Sequence, residues 1–286
     1  FRVHSYHHEV IGDMADLHTI SRDDLYYHYR RYYVPGNAIA VAVGDFDSAD
    51  LLRRIEALYG GIPGSEKPHF ITRPEPQQQG ERRVTVERPG RTAFLEFAYH
   101  APAATDDDWF RLAILDSVLT GPSSMGGGGV DNKTSRLYRA LVETEIAAGV
   151  DGGLVPTIDP YLYQISATVR DGRTLEEAEA ALDAEIERVR EADISEAELN
   201  KAKKQARALF AYSTEGVTGQ AFWLAFAENF ASYDWFENYV DRLEQVTVDD
   251  VRQVARRYLH RRNRTVGWFV PTGDDPDMED DDDDLA

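Results

Sequence analysis

The residue types that bind metals crowd together in one place, at His4, His7, His8 and Glu9. A helical zinc site needs two histidines four positions apart on one helix face, with a glutamate beside them. His4 and His8 have this spacing, but no glutamate lies between them. The sequence therefore predicts a loop with exposed histidines, and zinc ligation is the alternative interpretation.

A second candidate for chemistry is the glycine-rich loop that runs from Gly121 to Gly129. A phosphate-binding loop needs the G-x-G-x-x-G or G-x-x-x-x-G-K-[ST] spacing, and neither spacing occurs here. A flexible turn between two helices is the first interpretation. Close approach of a peptide to the glycine backbone is the second, and a nucleotide site is the third.

Nucleophilic catalysis finds no support in the residue types. The sequence has no G-x-S-x-G motif, and it has no cysteine, which excludes disulfides, thiolate metal sites and cysteine nucleophiles. Carboxylates are too abundant for their positions to identify a catalytic pair. The residues by themselves therefore identify no active site.

The charge is strongly negative and unevenly distributed. The 286 residues carry 31 basic and 51 acidic side chains, a net charge of −20, and nine of the acids lie in residues 274–286. Such an acidic chain is not expected to bind nucleic acid, and no apolar run approaches the ~18 residues of a membrane span. We expect the tail to be disordered by self-repulsion. A tail that binds calcium or a partner is the alternative, but it lacks the spacing of a calcium loop.

Periodicity and capping signals predict the elements that must position any functional residue. The order of these elements predicts an α+β fold, with a mostly antiparallel or mixed sheet flanked by helices. The predicted strands are 37–43, buried on both faces, then 84–87, 93–100, 161–169 and 265–270. The predicted helices are 21–32, 47–59, 109–119, 135–147, 175–191, 195–211, 235–243 and 248–258.

These elements divide the chain into unequal parts. Residues 1–62 contain one strand and are too few for a domain, so they are expected to be the C-terminal half of one. Residues 63–81 are rich in proline and glutamine and are interpreted as a linker. Residues 82–273 are expected to form a complete, homologous domain, followed by the acidic tail at 274–286.

Several short motifs point together to a known family. They are 4–6 (His-Ser-Tyr), 10–12 (Val-Ile-Gly), 32–37 (Tyr-Tyr-Val-Pro-Gly-Asn), 43–45 (Val-Gly-Asp), the glycines 126–129 and 135–138 (Ser-Arg-Leu-Tyr). In this combination the chain resembles the pitrilysin/insulinase family of zinc metallopeptidases, in particular its short bacterial members. The resemblance covers nearly the whole chain up to Thr272.

The resemblance implies two homologous α+β domains that close around an unfolded or short peptide. In that family two histidines of a His-x-x-Glu-His motif and a more distant glutamate hold zinc, and the motif glutamate is the general base. The motif occurs nowhere in residues 1–286. The resemblance therefore implies zinc in the full-length parent, and no metal ligand or catalytic residue in this chain.

The resemblance also gives the candidate substrate-binding residues. Many relatives carry an arginine and a tyrosine seven residues apart that hold the substrate backbone, but these positions fall on Val142 and Gly149 here. The remaining candidates are Gly126, Gly127, Ser135, Arg136 and Arg139. For the two arginines, salt bridges on a solvated helix face are an equal interpretation.

Three functional hypotheses follow. The first is a fragment of a zinc endopeptidase that contributes the non-zinc wall of a peptide chamber and has no activity alone. The second is a noncatalytic peptide-binding subunit that pairs with a zinc-bearing homologue. The third is an unrelated α+β interaction module. The acidic composition predicts a preference for basic peptides.

Overall fold

The computed structural model describes residues 1–122 and 132–273. Its chain contacts form two compact units. One consists of Phe1–Gln77 with Gly216–Glu228, and the other of Gln78–Glu215 with the chain from Asn229 onward. The division that the sequence predicts after residues 62 and 81 stays a prediction, and the acidic tail lies outside the described residues.

The described chain begins with three α-helices. Four strands follow in the described residues, with one α-helix between the second and the third, and six α-helices then precede the last strand. The helices are α1 (Met14–Thr19), α2 (Arg22–Tyr32), α3 (Ser48–Tyr59), α4 (Asp107–Leu119), α5 (Leu175–Glu191), α6 (Glu196–Ser213), α7 (Val217–Phe230), α8 (Tyr233–Glu237), α9 (Tyr239–Gln245) and α10 (Val248–Tyr258). The strands are β1 (Arg82–Arg88), β2 (Phe94–Ala101), β3 (Ala147–Leu154), β4 (Tyr161–Val169) and β5 (Arg264–Pro271). Among the residues that the structure describes, no helix is both long enough and apolar enough to span a membrane.

Capping side chains fix the beginnings of the helices in the first unit. The Ser21 backbone N–H donates to Asp24 Oδ2 at 3.0 Å, and the Asp24 N–H donates to Ser21 Oγ at 3.3 Å, which completes a capping box before α2. The Asp47 carboxylate accepts from the Asp50 N–H at 2.7 Å before α3. These local bonds confirm both predicted helix starts.

The predicted buried strand at residues 37–43 is wrong. Pro35–Asn37 forms a 3₁₀ turn, residues 38–43 form no strand, and 58% of Ile39 is exposed. A strand exists only when a neighbour satisfies its backbone groups, and none of the described residues pairs with this segment. An apolar run shows that a segment has the propensity to form a strand, but it does not show whether a partner strand is present.

The helix α7 is not among the predicted helices, because its sequence has no hydrophobic periodicity. Its sequence, from Val217 to Phe230, is apolar on every side and leaves no polar stripe to define a helical period. The stretch Gly216–Glu228 belongs to the first unit, although it lies far along the chain from residues 1–77.

The sheet of the second unit confirms the predicted fold class. Its strand order is β1-β5-β2-β4-β3, with β1 and β5 parallel and the other pairs antiparallel. Alternate residues of β2, namely Leu95, Phe97 and Tyr99, are at most 1% exposed. The register places Phe97 opposite Ile165 on one side and Val266 on the other, so the core lies at the centre of the sheet.

The buried Arg264 joins the sheet to α5. Its side chain is 2% exposed, and it forms ion pairs with Glu81, at 2.6 Å, and with Asp183. Its guanidinium also lies 4.2 Å from the ring centroid of Phe97. Burial alone would lower the pKa of Arg264, but its bonds to Asp183 and Glu81 raise it above the usual value. A buried charge of this kind persists only when it is paired.

The predicted helix at 135–147 is wrong in its second half. The chain forms a π-helical turn at Tyr138–Val142, Glu145 adopts a φ of +60°, and β3 begins at Ala147. The strand escapes prediction because Gly149, Gly152 and Gly153 weaken its propensity.

Gly152 is nevertheless required by the packing of β3 on α4. A Cβ atom there would lie 2.3 Å from Asp116 Oδ1 and 2.4 Å from Thr120 Oγ1. Asp116 is 1% exposed, and its Oδ1 accepts from the Tyr163 hydroxyl at 2.9 Å and from the Thr120 hydroxyl at 2.8 Å. This buried polar cluster leaves no room for a side chain on the strand.

We therefore expect Gly152→Ala to destabilise the protein by about 1–3 kcal/mol, because the added methyl group must displace two hydrogen-bonded side chains. Urea unfolding monitored by circular dichroism measures the free energy of unfolding. Gly149→Ala in the same strand is the matched control, since no atom lies within 4 Å of its Cβ position. Equal stabilities of the two variants would contradict the close approach of β3 to α4.

Candidate functional site

A groove opens on the surface of the second unit where the π-helical turn, α5 and α6 meet. Its volume is about 520 Å³, and small side chains of the turn and of α5, such as Ala140 and Ala184, lie between the charged ones. We call it the arginine groove and define it by its charged residues: Arg136, Arg139, Glu185, Arg188 and Glu198.

Arg136 is held at one side of the groove by a carboxylate of α6. Its Nε lies 2.8 Å from Glu198 Oε1 and its Nη2 lies 3.1 Å from Glu198 Oε2. Glu185 Oε1 lies 3.6 Å from Nη1 of the same guanidinium. Two parallel hydrogen bonds fix both position and orientation, so Arg136 is anchored and has little freedom to take a ligand.

This pairing changes the electrostatics of both groups. The hydrogen bond from Arg136, with those from Ser195, lowers the pKa of Glu198 to about 2, although partial burial acts in the opposite direction. Burial alone would lower the pKa of Arg136, but Glu198 raises it overall. Both side chains therefore stay charged throughout the range in which proteins are folded.

Arg139 is different, because its guanidinium is exposed and makes no ion pair with any residue that the structure describes. Lys201 lies near enough for its pKa to be lowered, first by burial and then by the charge of Arg139. The Lys201 Nζ donates to the Thr134 carbonyl at 3.2 Å. The Glu198 carboxylate acts on the Lys201 pKa in the opposite direction and offsets part of this effect. A further carboxylate placed near Arg139 and Lys201 would reduce the repulsion between their like charges.

The other arginine of the groove is already partnered. Arg188 Nη1 lies 2.7 Å from Glu185 Oε2, and 69% of the Arg188 side chain is exposed. Such an exposed pair contributes little to stability. Its carboxylate partner, in contrast, is 5% exposed and is therefore fixed in place.

The structure brings two of the five predicted site residues into one groove, Arg136 and Arg139. Ser135 is 2% exposed, and its Oγ accepts from the Tyr138 N–H at 3.4 Å, as a residue at a helix start does. Gly126 and Gly127 lie outside the described residues. Whether any of the five binds a substrate stays a prediction.

Sequence reasoning missed Glu185, Arg188 and Lys201, and one signal could have found the first. Glu185 lies on the buried stripe of α5, with Leu182 and Val189 on either side of it. A carboxylate at a core-facing position of an amphipathic helix indicates a buried partner. No local pattern identifies that partner, because Arg136 lies almost 50 residues earlier in the chain.

The histidines and carboxylates among the described residues do not fit a zinc ion. His4 is 4% exposed, and its Nδ1 accepts a hydrogen bond from the Tyr6 N–H at 3.1 Å. The Nδ1 of His7 is hydrogen-bonded to the His4 carbonyl oxygen at 2.7 Å. Within residues 1–122 and 132–273, no three histidine, aspartate or glutamate side chains are grouped to hold a metal. The prediction of exposed histidines is right for His7 and His8 but wrong for His4, which the surrounding chain covers.

Known proteins resemble the chain over most of its length. Residues 19–206 match the family described as the peptidase M16 inactive domain. The chain is 24% identical to zinc protease PqqE of Helicobacter pylori, over 94% of this chain and 59% of that protein. It is 23% identical to the mitochondrial-processing peptidase subunit beta of Blastocladiella emersonii, over 94% of this chain and 57% of that protein.

A solved structure shares the fold. The crystal structure of a protease from Helicobacter pylori superposes with a TM-score of 0.85 at 23% identity, over 95% of this chain and 64% of that one. The chain thus spans about three fifths of the length of the curated relatives that it matches.

The lowered pKa of Glu198 predicts an acid-dependent loss of stability. Its ionised form is stabilised in the folded state, so the contribution is complete above the usual pKa of 4.5 and is lost as the pH falls towards 2. Glu198→Gln should therefore lower the free energy of unfolding most at pH 7, and the difference from wild type should shrink between pH 4.5 and pH 2.

Denaturant titrations at several pH values measure this difference. Glu196→Gln is the matched control, because it removes the same charge from the same helix turn at an exposed residue. A loss of stability for Glu198→Gln that does not depend on pH, or that the control reproduces, would contradict the Arg136 pairing.

Proposed function

The chain belongs to the peptidase M16 inactive domain family, and we propose that it forms the non-zinc wall of a peptide-binding chamber in a zinc endopeptidase. The family match over residues 19–206, in a sequence without His-x-x-Glu-His, carries this proposal. This family match confirms the resemblance to the pitrilysin/insulinase family that the sequence motifs indicate. On this proposal, zinc and its general base belong to another part of the parent protein or to a partner, and this chain contributes binding surface.

The arginine groove supports a role in holding peptide. It is open to solvent, and its exposed Arg139 has no carboxylate partner among the described residues. Since Lys201 adds a second cation nearby, an acidic side chain or a terminal carboxylate of a peptide suits this end of the groove. The local charge thus favours acidic groups, even though the net charge of the chain favours basic peptides.

Pairing with a zinc-bearing homologous subunit is the second candidate, and the surface of the first unit favours it. Large apolar side chains are exposed there, including Ile11 at 78%, Tyr33 at 72%, Leu58 at 75% and Ile71 at 77%. Apolar surface of this extent is covered in most soluble proteins. One relative is itself named as a subunit of a processing peptidase.

Metal and activity measurements on purified residues 1–286 test the proposal. We expect zinc at background level by plasma mass spectrometry, and no hydrolysis of unfolded fluorogenic peptides with or without added zinc. We expect the same chain to bind such peptides in fluorescence anisotropy. Stoichiometric zinc, or hydrolysis that a chelator abolishes, would overturn the proposal.

Arg139→Gln tests the groove. The variant should bind a peptide that carries aspartate or glutamate about two- to fivefold more weakly, because it loses one exposed ion pair. Binding of a matched peptide with asparagine and glutamine should not change. Anisotropy titrations with the two labelled peptides measure the effect.

Arg262→Gln is the control for Arg139→Gln, since it removes the same charge at an exposed residue outside the groove. If both variants weaken binding equally, the peptide responds to net charge and the groove is not its site.

A further inference from the structure

The outer edge of β1 is an unpaired strand on the surface of the second unit. β1 is an end strand of the sheet, with β5 as its neighbour on one side. No other strand of the described chain pairs with its second side. Its residues are exposed from Arg83 to Arg88, and Val84 and Val86 are exposed by 52% and 38%. An exposed edge with β-branched residues is a template for pairing with another strand.

The hydrogen bonds of β1 show which residues face outward. The Thr272 N–H donates to the Arg88 carbonyl at 2.9 Å, so the backbone groups of Arg88 point towards β5. Because successive residues of a strand direct these groups to opposite sides, the even-numbered residues of β1 face β5. Arg83, Thr85 and Glu87 therefore present three N–H donors and three carbonyl acceptors to the outside.

We propose that this edge pairs with the same edge of a second copy of the chain, antiparallel and centred on Thr85. In that register Thr85 lies opposite the partner's Thr85, and Arg83 lies opposite the partner's Glu87. All three outward residues then fall in hydrogen-bonded positions, which gives six backbone hydrogen bonds between the copies. Val84 lies opposite the partner's Val86 in the positions between them.

The side chains complement one another in the same register. Glu87 makes no ion pair with any described residue, so its carboxylate is available to the partner's Arg83. Arg83 is already paired with Glu179 at 2.6 Å and Glu81 at 3.0 Å and covers the Trp268 ring of β5, so the partner's Glu87 would share its guanidinium with these carboxylates. Cross-strand threonine pairs, β-branched pairs and opposite charges each stabilise antiparallel strands.

A second copy fits this edge better than an unrelated extended peptide does. From Arg83 to Glu87 the sequence reads Arg-Val-Thr-Val-Glu, which is complementary to itself when the direction is reversed. A foreign strand could form the backbone bonds but would lack this matching of side chains. Only the two outermost pairs are unfavourable, because Arg82 of each copy lies opposite the partner's Arg88 and like charges repel. The edge therefore predicts a weak, concentration-dependent dimer with two-fold symmetry.

Sedimentation equilibrium of residues 1–286 over a range of concentrations tests the proposal. We expect a monomer–dimer equilibrium in the wild type and a monomer for Thr85→Pro. The Thr85 N–H faces outward, so proline removes a bond to the partner but none to β5. Thr85→Val keeps the N–H and the branched side chain, and its dissociation constant should stay within about twofold of wild type. Matching circular dichroism spectra check that all three chains fold.

A second variant tests the register by strengthening the dimer. Arg88→Glu converts both like-charge pairs into opposite-charge pairs, so we expect the dissociation constant to fall about tenfold. Arg262→Glu makes the same change in net charge at an exposed residue elsewhere in the second unit and should not tighten the dimer.

Three outcomes would overturn the proposal. One is a wild type and an Arg88→Glu variant that both stay monomeric up to the solubility limit. Another is a dimer that Thr85→Pro leaves intact, which places the interface elsewhere. The third is a monomeric chain that binds a labelled extended peptide only when Thr85 is not proline, which makes the edge a peptide site. None of these depends on zinc content or on binding in the arginine groove, so the dimer and the proposed function can fail separately.

Discussion

The burial of Arg264 is the constraint on which the second unit depends. Its guanidinium must be compensated inside the protein, and the two carboxylates that do so come from different elements, Glu81 before β1 and Asp183 on α5. The ion pairs continue through Arg83, which bonds Glu179 on α5 and covers the ring of Trp268. The edge strand β1, its neighbour β5 and the helix α5 are thereby fixed together, because each supplies a charge that the others need.

The same helix then determines the arginine groove. One side of α5 carries Asp183 and Glu179 towards the sheet, while Glu185 lies on its buried stripe near the π-helical turn. There Glu185 faces Arg136, whose guanidinium already forms two hydrogen bonds with the Glu198 carboxylate. Among the arginines of the groove, the pairing leaves Arg139 as the one without a carboxylate partner in the described chain. Because the other charges of the groove neutralise one another, the proposed binding of an acidic group rests on Arg139.

The two units differ in how well they bury their apolar residues. The second has a continuous core on one face of its sheet, whereas in the first the helix α2 has no buried residue. The relatives that the chain matches are longer than the chain. The proposed subunit pairing rests on the exposed tyrosines and leucines of the first unit, and the proposed dimer uses the open edge of β1 instead.

The sequence by itself determined the family, the fold class and the starts of the capped helices. The capping boxes at Ser21 and Ser195 could be predicted because their bonds join residues only three positions apart. Only the tertiary structure decided what depends on distant residues. It left 37–43 without a partner strand, it made β3 a strand despite its glycines, and it joined Arg136 to Glu198 across 62 positions. Strand pairing and buried charge compensation arise between segments that are neighbours in space alone, so no local pattern can specify them.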